Sequence, residues 1–226
     1  MQEIPILYED NHLLVVVKPP NLLSQGDATG DEDLLTLLKE YIRDTYNKPG
    51  NVYLGLVHRL DRPVGGVMVF AKTSKAASRL SEQIRERTFN RGYLAVVEGH
   101  PEPVAGSLRN YLLKDSAKNL VKVVKPNVEG AQEARLDYKV VDMNREHSLV
   151  RIWLRTGRSH QIRVQMAERG HPLLGDRRYG KKTNERQQIA LWAERISFHH
   201  PTTKEALEFV EAPPAVKPWT EFHLGS

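Results

Sequence analysis

The stretch Val52-Tyr53-Leu54-Gly55-Leu56-Val57-His58-Arg59-Leu60-Asp61-Arg62-Pro63-Val64-Gly65-Gly66-Val67-Met68-Val69-Phe70-Ala71 holds two apolar runs separated by a polar turn. Apolar runs of this length, rich in β-branched residues, read as strands, and Pro63 with the glycine pair reads as a turn. Asp61 is thereby placed on a short connection between two core strands. An aspartate fixed beside a core must be paired or hydrogen-bonded, because an isolated buried carboxylate is costly and takes up a proton instead. Arg59 and Arg62 are the nearest partners in sequence. The competing reading is a salt bridge that merely staples the turn.

Outward from this stretch, short apolar runs keep alternating with turn signals. Residues 6–18 read as a short strand, an Asp10-Asn11 turn and a buried strand ending at Pro19-Pro20. Leu34, Leu35, Leu38 and Ile42 recur at helical spacing behind Asp31 or Asp33, either of which can cap the helix. Thr73 or Ser74 can cap a second helix, with Ala76, Leu80 and Ile84 facing inward. Its other face mixes Lys75, Arg79, Arg85 and Arg87 with Glu82 and Glu86, the pattern of a solvated surface. Gly92 to Glu98 reads as a strand, and 107–132 as an irregular, peripheral insert carrying a small hairpin.

Alternation over Ala134, Leu136, Tyr138 and Val140, and again over Val150, Ile152 and Leu154, predicts two half-buried antiparallel strands joined by the turn 142–147. Ser159 is the expected N-cap of a third helix bearing Ile162 and Met166, with Gly170 as its left-handed stop. Further strands are expected near Ile189 to Phe198 and Ala206 to Val210. Strands so often adjacent in sequence predict an α+β fold, a mostly antiparallel central sheet with flanking helices, in a single domain over 1–226.

Composition narrows the function classes. The 226 residues are 40% hydrophobic and 27% charged, as in an ordinary globular protein. Zero cysteines exclude disulfides, thiolate metal sites and cysteine nucleophiles, and they fit a cytoplasmic location. The N-terminus lacks a basic segment followed by an apolar one, and no apolar run reaches membrane-spanning length. A net charge of +5, with arginines concentrated at 59–62, 79–91, 151–163 and 177–178, points towards a polyanionic partner.

Familiar sites are missing from the sequence. There is no G-x-x-x-x-G-K-[ST], no G-x-G-x-x-G after a strand and no H-E-x-x-H, and the pair His199-His200 reads as a strand-end surface feature. No metal and no cofactor are expected. What remains is a set of polar residues in apolar surroundings. Asp61 suits a nucleophile or general base, Tyr93 a stacking or proton-moving aromatic, and Arg163 a carboxylate partner. Taken singly, Tyr93 reads equally as a core aromatic and Arg163 as a surface arginine.

Four blocks join these residues: His58-Arg59-Leu60-Asp61, Arg91-Gly92-Tyr93-Leu94-Ala95-Val96-Val97-Glu98-Gly99, Thr156-Gly157-Arg158-Ser159-His160-Gln161-Ile162-Arg163, and Gly170-His171-Pro172-Leu173-Leu174-Gly175-Asp176-Arg177-Arg178-Tyr179-Gly180. Together with Tyr8-Glu9-Asp10 and Lys18-Pro19, they strongly resemble the RluA family of pseudouridine synthases, in the family's order and over roughly residues 4–200. The resemblance implies that family's catalytic-domain fold, with an active-site cleft across the sheet. It implies Asp61 as catalytic aspartate, Tyr93 stacked on the target uracil, and Arg163 paired with Asp61. Arg59 would fill the gap left by a flipped-out uridine, and Arg62, Arg158 and His160 would contact RNA. The expected enzyme is a monomeric, cytoplasmic, cofactor-free isomerase acting on ribosomal or transfer RNA.

Some positions depart from the family pattern. Val64-Gly65 stands where Thr-Ser is usual, Arg91 replaces a lysine, Ser159 a threonine and Gln165 a histidine. The small basic N-terminal RNA-binding domain of many relatives is expected to be missing. Two rival functions stay in view: a non-catalytic RNA-binding or RNA-folding protein on the same scaffold, motivated by Val64-Gly65, and an unrelated basic hydrolase using Asp61.

Overall fold

A computed structural model describes residues 4–180 and 187–225, so the first three residues of the N-terminal segment discussed above lie outside the described residues. In chain order the first elements are β1 (Ile6–Glu9), β2 (Leu13–Lys18), α1 (Leu34–Thr45), β3 (Gly55–Leu56), β4 (Gly65–Ala71), α2 (Ser74–Glu86) and β5 (Asn90–Glu98). They are followed by β6 (Ala105–Asp115), β7 (Leu120–Val124), β8 (Gln132–Met143), β9 (His147–Leu154), α3 (Gln161–Glu168), β10 (Leu191–His199) and β11 (Ala206–Val210). The α+β class expected from the sequence is what these elements form. The chain falls into two compact units, Met1–Asn90 with Ala193–Ala212, and Arg91–Trp192 with Pro213–Ser226.

In the first unit the strand order is β1-β2-β4-β10, with β3 beside β4 and β11 beside β10. β2 and β4 are buried on both faces, which is why they read as unbroken apolar runs without alternation. Leu13, Val15, Val67 and Val69 pack with Ala76 and Leu80 of α2 and with Phe89 and Phe198, whose rings stack at 5.1 Å. The helix caps follow local chemistry. Asp33 accepts from the Thr36 amide and Thr73 from the Ala76 amide, so one expected candidate of each pair is selected.

Two expectations for this unit are corrected. The strand read over Val52–Val57 is only Gly55–Leu56, paired with Ala71 and Phe70 at the end of β4. Further along β4 that edge belongs to β10, whose Ala193 abuts Gly66, so β3 has nothing more to pair with. The His199-His200 pair is likewise not simply a surface feature. His200 is 2% exposed; its Nε2 lies 2.9 Å from Asp10 Oδ2, and its Nδ1 accepts the amides of Thr202 and Thr203.

The second unit holds the antiparallel order β5-β9-β8-β6-β7. The hairpin expected within residues 107–132 is present, but the segment is regular: β6 and β7 pair antiparallel at the sheet edge. Leu112, Val121 and Ala134 pack there against Val164 of α3, which gives the hairpin a core of its own. The register aligns Tyr93 with Ile152 and Ile152 with Tyr138, so their side chains share one sheet face. Asn110 and Ala134, directly paired, lie on the face covered by α3, whose Gln165 Nε2 donates to the Asn110 side chain at 2.8 Å and to Ala134 O at 3.3 Å. Ala134, Leu136 and Tyr138 alternate onto that same face, so Tyr93 and α3 occupy one side of the sheet.

α3 begins one residue later than the Ser159 cap predicts. His160 is its N-cap, in the left-handed region at φ 51°, and makes no side-chain cap. Gln161 does the fastening instead: its Oε1 accepts from Thr156 Oγ1 at 2.8 Å and from the Arg158 amide at 3.0 Å, while its Nε2 donates to Arg135 O at 3.0 Å. Gly170, at φ 87°, ends the helix as expected. Among the described residues no helix is long and apolar enough to cross a membrane.

Gly66 shows how tightly the first unit is closed. Its φ is 123°, and a Cβ there would lie 2.6 Å from the Ala193 amide nitrogen and nearer still to its carbonyl oxygen. Gly66→Ala is therefore expected to lower stability by about 3 kcal/mol or more, since strain and backbone overlap add. Urea unfolding of the variant measures the loss; an unchanged midpoint would show that β4 and β10 yield at this point.

Candidate functional site

Asp61 belongs to the first unit, on the loop between β3 and β4. Along this loop burial alternates: His58, Leu60 and Val64 are buried, Arg59 and Arg62 are exposed, and Asp61 is half-buried. The apolar members dock the loop on the core and leave the acid at the boundary with solvent. Ser24 Oγ donates to Leu60 O at 2.8 Å and accepts the Leu60 amide at 3.2 Å. His58 Nε2 accepts the Val69 amide at 3.1 Å, which assigns the ring hydrogen to Nδ1 in the neutral ring. The Val64 amide closes the turn onto Asp61 O at 2.9 Å.

The strongest fastening comes from Lys18. Its ammonium is 0% exposed and donates to Pro19 O, Leu22 O and Arg62 O at 3.0, 2.6 and 3.1 Å. Burial pulls this amine down to about 7; the Asp61 carboxylate opposes that pull, and the neighbouring Arg62 guanidinium adds to it. Asp61 is thus within the electrostatic reach of a buried cation that also ties down the next residue's carbonyl. Lys18 was quoted in the sequence resemblance but given no role. A lysine at a strand end ordinarily turns to solvent, so only its place before Pro19 hinted otherwise.

The flanking arginines differ. Arg62 Nη1 pairs with Asp31 Oδ2 at 2.6 Å and its Nε donates to Asn21 O at 3.2 Å, so it also braces the 21–31 segment. Arg59 is exposed. Val64, where the family usually carries a hydroxyl residue, is 2% exposed and serves as core packing.

In the second unit Tyr93 is buried on β5, and Arg163 is buried on α3 rather than lying on the surface. Arg163 Nε and Nη2 each donate to one Asp176 oxygen at 2.8 Å, a fork-on-fork pair. Asp176 Oδ1 also accepts the amides of Arg178 and Tyr179. Burial alone would raise its carboxyl, but the Arg163 hydrogen bonds and charge, helped by the two amides, hold it below the usual carboxylate range. Asp176, thirteen residues from Arg163, was missed in the sequence, where its Gly-Asp turn gave no sign of a partner. Of the remaining expected residues, Arg158 is exposed with Nε donating to Glu133 O at 2.9 Å. His160 Nδ1 lies 2.7 Å from the Tyr179 hydroxyl. Among the described residues no group of three or more His, Cys, Asp or Glu side chains is placed to hold a metal.

A family model described as RNA pseudouridylate synthase matches residues 12–168. An uncharacterized RNA pseudouridine synthase of Bacillus subtilis is 35% identical over 213 residues, covering 93% of this chain and 68% of that protein. Ribosomal large subunit pseudouridine synthase D of Vibrio parahaemolyticus is 36% identical over 225 residues, covering 92% of this chain and 67% of that protein. Among solved structures, human RNA pseudouridylate synthase domain containing 4 superposes with a TM-score of 0.77 at 26% identity, covering 93% of this chain and 88% of that one.

The depressed Asp176 carboxyl carries a pH signature. A group whose folded pKa is lowered contributes stability above its unfolded value, about 4, and that contribution disappears as pH falls through the folded value. Asp176→Asn is expected to lose about 3 kcal/mol at pH 7, because it removes the negative charge that forks onto the buried Arg163 guanidinium. Urea unfolding from pH 7 down to pH 3 should show the gap between wild type and variant narrowing once pH drops below about 4. A gap independent of pH would mean that the pair contributes through shape alone.

Proposed function

This chain belongs to the RNA pseudouridylate synthase family, and from that premise we propose that Asp61, Tyr93 and Arg163 are its catalytic side chains and that its substrates are uridines of ribosomal or transfer RNA. The enzyme is an RNA pseudouridine synthase, an isomerase. Its reaction breaks the bond from ribose C1′ to the base nitrogen, turns the retained uracil and rejoins it through C5. No electron leaves the substrate and no fragment departs, so the protein's task is to stabilise charge, position the base and move one proton.

The observation that carries the assignment of Asp61 is its mounting. The carboxylate sits half-buried on a loop fastened from below by Lys18 and Ser24 and from the side by Arg62, within the field of the buried ammonium. A surface staple needs none of this. Pre-organisation is what a nucleophile or base needs, because a fixed group does not reorganise as the reaction proceeds. Tyr93, on the same sheet face as the helix bearing Arg163, suits stacking on uracil and removal of the C5 proton.

A uridine must leave its stack to reach such a site, and proteins that flip bases hold the distorted backbone while an aromatic stacks on the freed base. Arg59, exposed beside Asp61, suits filling the vacated gap. Arg62, Arg158 and His160 are proposed RNA contacts, Arg62 acting also as the brace described above. The proposal includes a monomeric enzyme working in the cytoplasm. No observation favours the non-catalytic alternative, since the Val64 that motivated it is a core residue.

Purified protein incubated with unmodified ribosomal and transfer RNA transcripts should form pseudouridine. Asp61→Asn should abolish formation while the variant still binds RNA; undiminished formation would remove Asp61 from the chemistry. Tyr93→Phe should keep RNA affinity and lose about 10²-fold in turnover, the scale of a lost proton-transfer group. Unchanged turnover would leave the tyrosine with stacking alone.

A further inference from the structure

Tyr179 follows α3 in a turn set by Asp176, whose main-chain carbonyl accepts the Gly180 amide at 2.8 Å. Its side chain meets four other parts of the second unit. The Arg163 guanidinium carbon lies 5.3 Å from the ring centroid, within cation–π range. The ring edge packs on the cluster of Leu112, Val121, Ala134 and Val164. The hydroxyl accepts the Val121 amide of β7 at 2.9 Å and lies 2.7 Å from His160 Nδ1. Its own backbone amide donates to the Asp176 oxygen that also takes Arg163 Nη2.

The phenol oxygen accepts from Val121 and also makes the short contact to His160 Nδ1, so one hydroxyl joins the imidazole to the backbone of β7. A tyrosine that only filled the core would need one partner for its hydroxyl and would have no reason to lie under a guanidinium. This one spans an arginine, an imidazole and the backbone of an edge strand.

We infer that Tyr179 is a positioning residue for the isomerisation: its ring supports the Arg163 guanidinium in the plane set by Asp176, and its hydroxyl ties the His160 ring to the β6–β7 hairpin. The inference rests on the proposal above that Arg163 acts at the reacting centre. It assigns to the hairpin a part in holding the machinery, through one hydroxyl on the Val121 amide.

Two variants separate the ring from the hydroxyl, with Arg163→Lys as reference, all assayed on the same unmodified RNA transcripts. Tyr179→Leu removes the support and should lower kcat roughly tenfold, the scale of a partly desolvated cation–π contact, with KM within about twofold. Tyr179→Phe keeps the ring and should recover at least about half of kcat. In long-range proton–nitrogen NMR spectra of the imidazoles, however, the His160 Nδ1 resonance of Tyr179→Phe should shift as its hydrogen bond to the phenol is lost, a change that a purely packing role does not produce. The inference is overturned by unchanged kcat in Tyr179→Leu, by Tyr179→Phe no better than leucine, or by an unmoved His160 resonance. If Arg163→Lys turns over normally, the catalytic assignment of Arg163 fails and takes this inference with it. If Arg163→Lys is inactive while both Tyr179 variants are normal, only the positioning role fails.

Discussion

A single buried ammonium group governs where the Asp61 loop of this enzyme lies. Lys18 ends β2, directly opposite Gly66 of β4 in the antiparallel register, and its Nζ reaches the carbonyls of Pro19, Leu22 and Arg62. Desolvating a cation costs several kcal/mol, and here three carbonyls and the nearby Asp61 carboxylate offset that cost. Strand register, loop position and the Asp61 carboxylate are thus one linked set. A slip of one residue between β2 and β4 would turn Lys18 to the opposite face and release the loop. Gly66 belongs to the same set, because only a residue without Cβ lets the strand after the loop close against Ala193.

The second unit solves a similar problem with opposite charges. Arg163 is held by a carboxylate that is itself held by two backbone amides and sits in the turn immediately after α3. α3 is fastened at its start by the Gln161 amide group and not by a hydroxyl cap, which leaves His160 in the left-handed conformation that brings Nδ1 to Tyr179. Backbone strain of about 1 kcal/mol or more at His160 is the cost of that orientation. The edge hairpin joins in through Val121. In both units, then, the proposed catalytic side chain depends on residues whose charges or amides are spent on contacts inside the protein.

Much of this was legible from local patterns. Leu34, Leu38 and Ile42 declared α1 by spacing, the pairs Asp31/Asp33 and Thr73/Ser74 each contained the true cap, and the alternation from Ala134 to Val140 declared β8. Each of these signals acts over a few residues. The motif blocks around Asp61, Tyr93 and Arg163 identified the family because they lie in one order along the chain. What stayed hidden was long-range pairing. Nothing near Lys18 says that its head will meet Arg62 O, 44 residues away, and nothing near Arg163 says that Asp176 will face it. Val52–Val57 misled because strand propensity is only an offer to pair, and β10 had already taken the edge of β4. Ser159 misled because a hydroxyl before an apolar helix is a common cap, and a longer amide two residues on did the task instead. His200 was read as surface because its partner Asp10 lies 190 residues earlier.

The dependence of the Asp61 loop on Lys18 is tested most directly by urea unfolding of Lys18→Met, which keeps most of the side chain's volume and removes its donors together with its charge. Three carbonyls would lose a buried donor, and a loss of about 3 kcal/mol relative to wild type is expected. Equal or greater stability in the methionine variant would contradict the account, since it would mean that relief from burying the charge outweighs the clamp and that the loop is held by its apolar contacts alone.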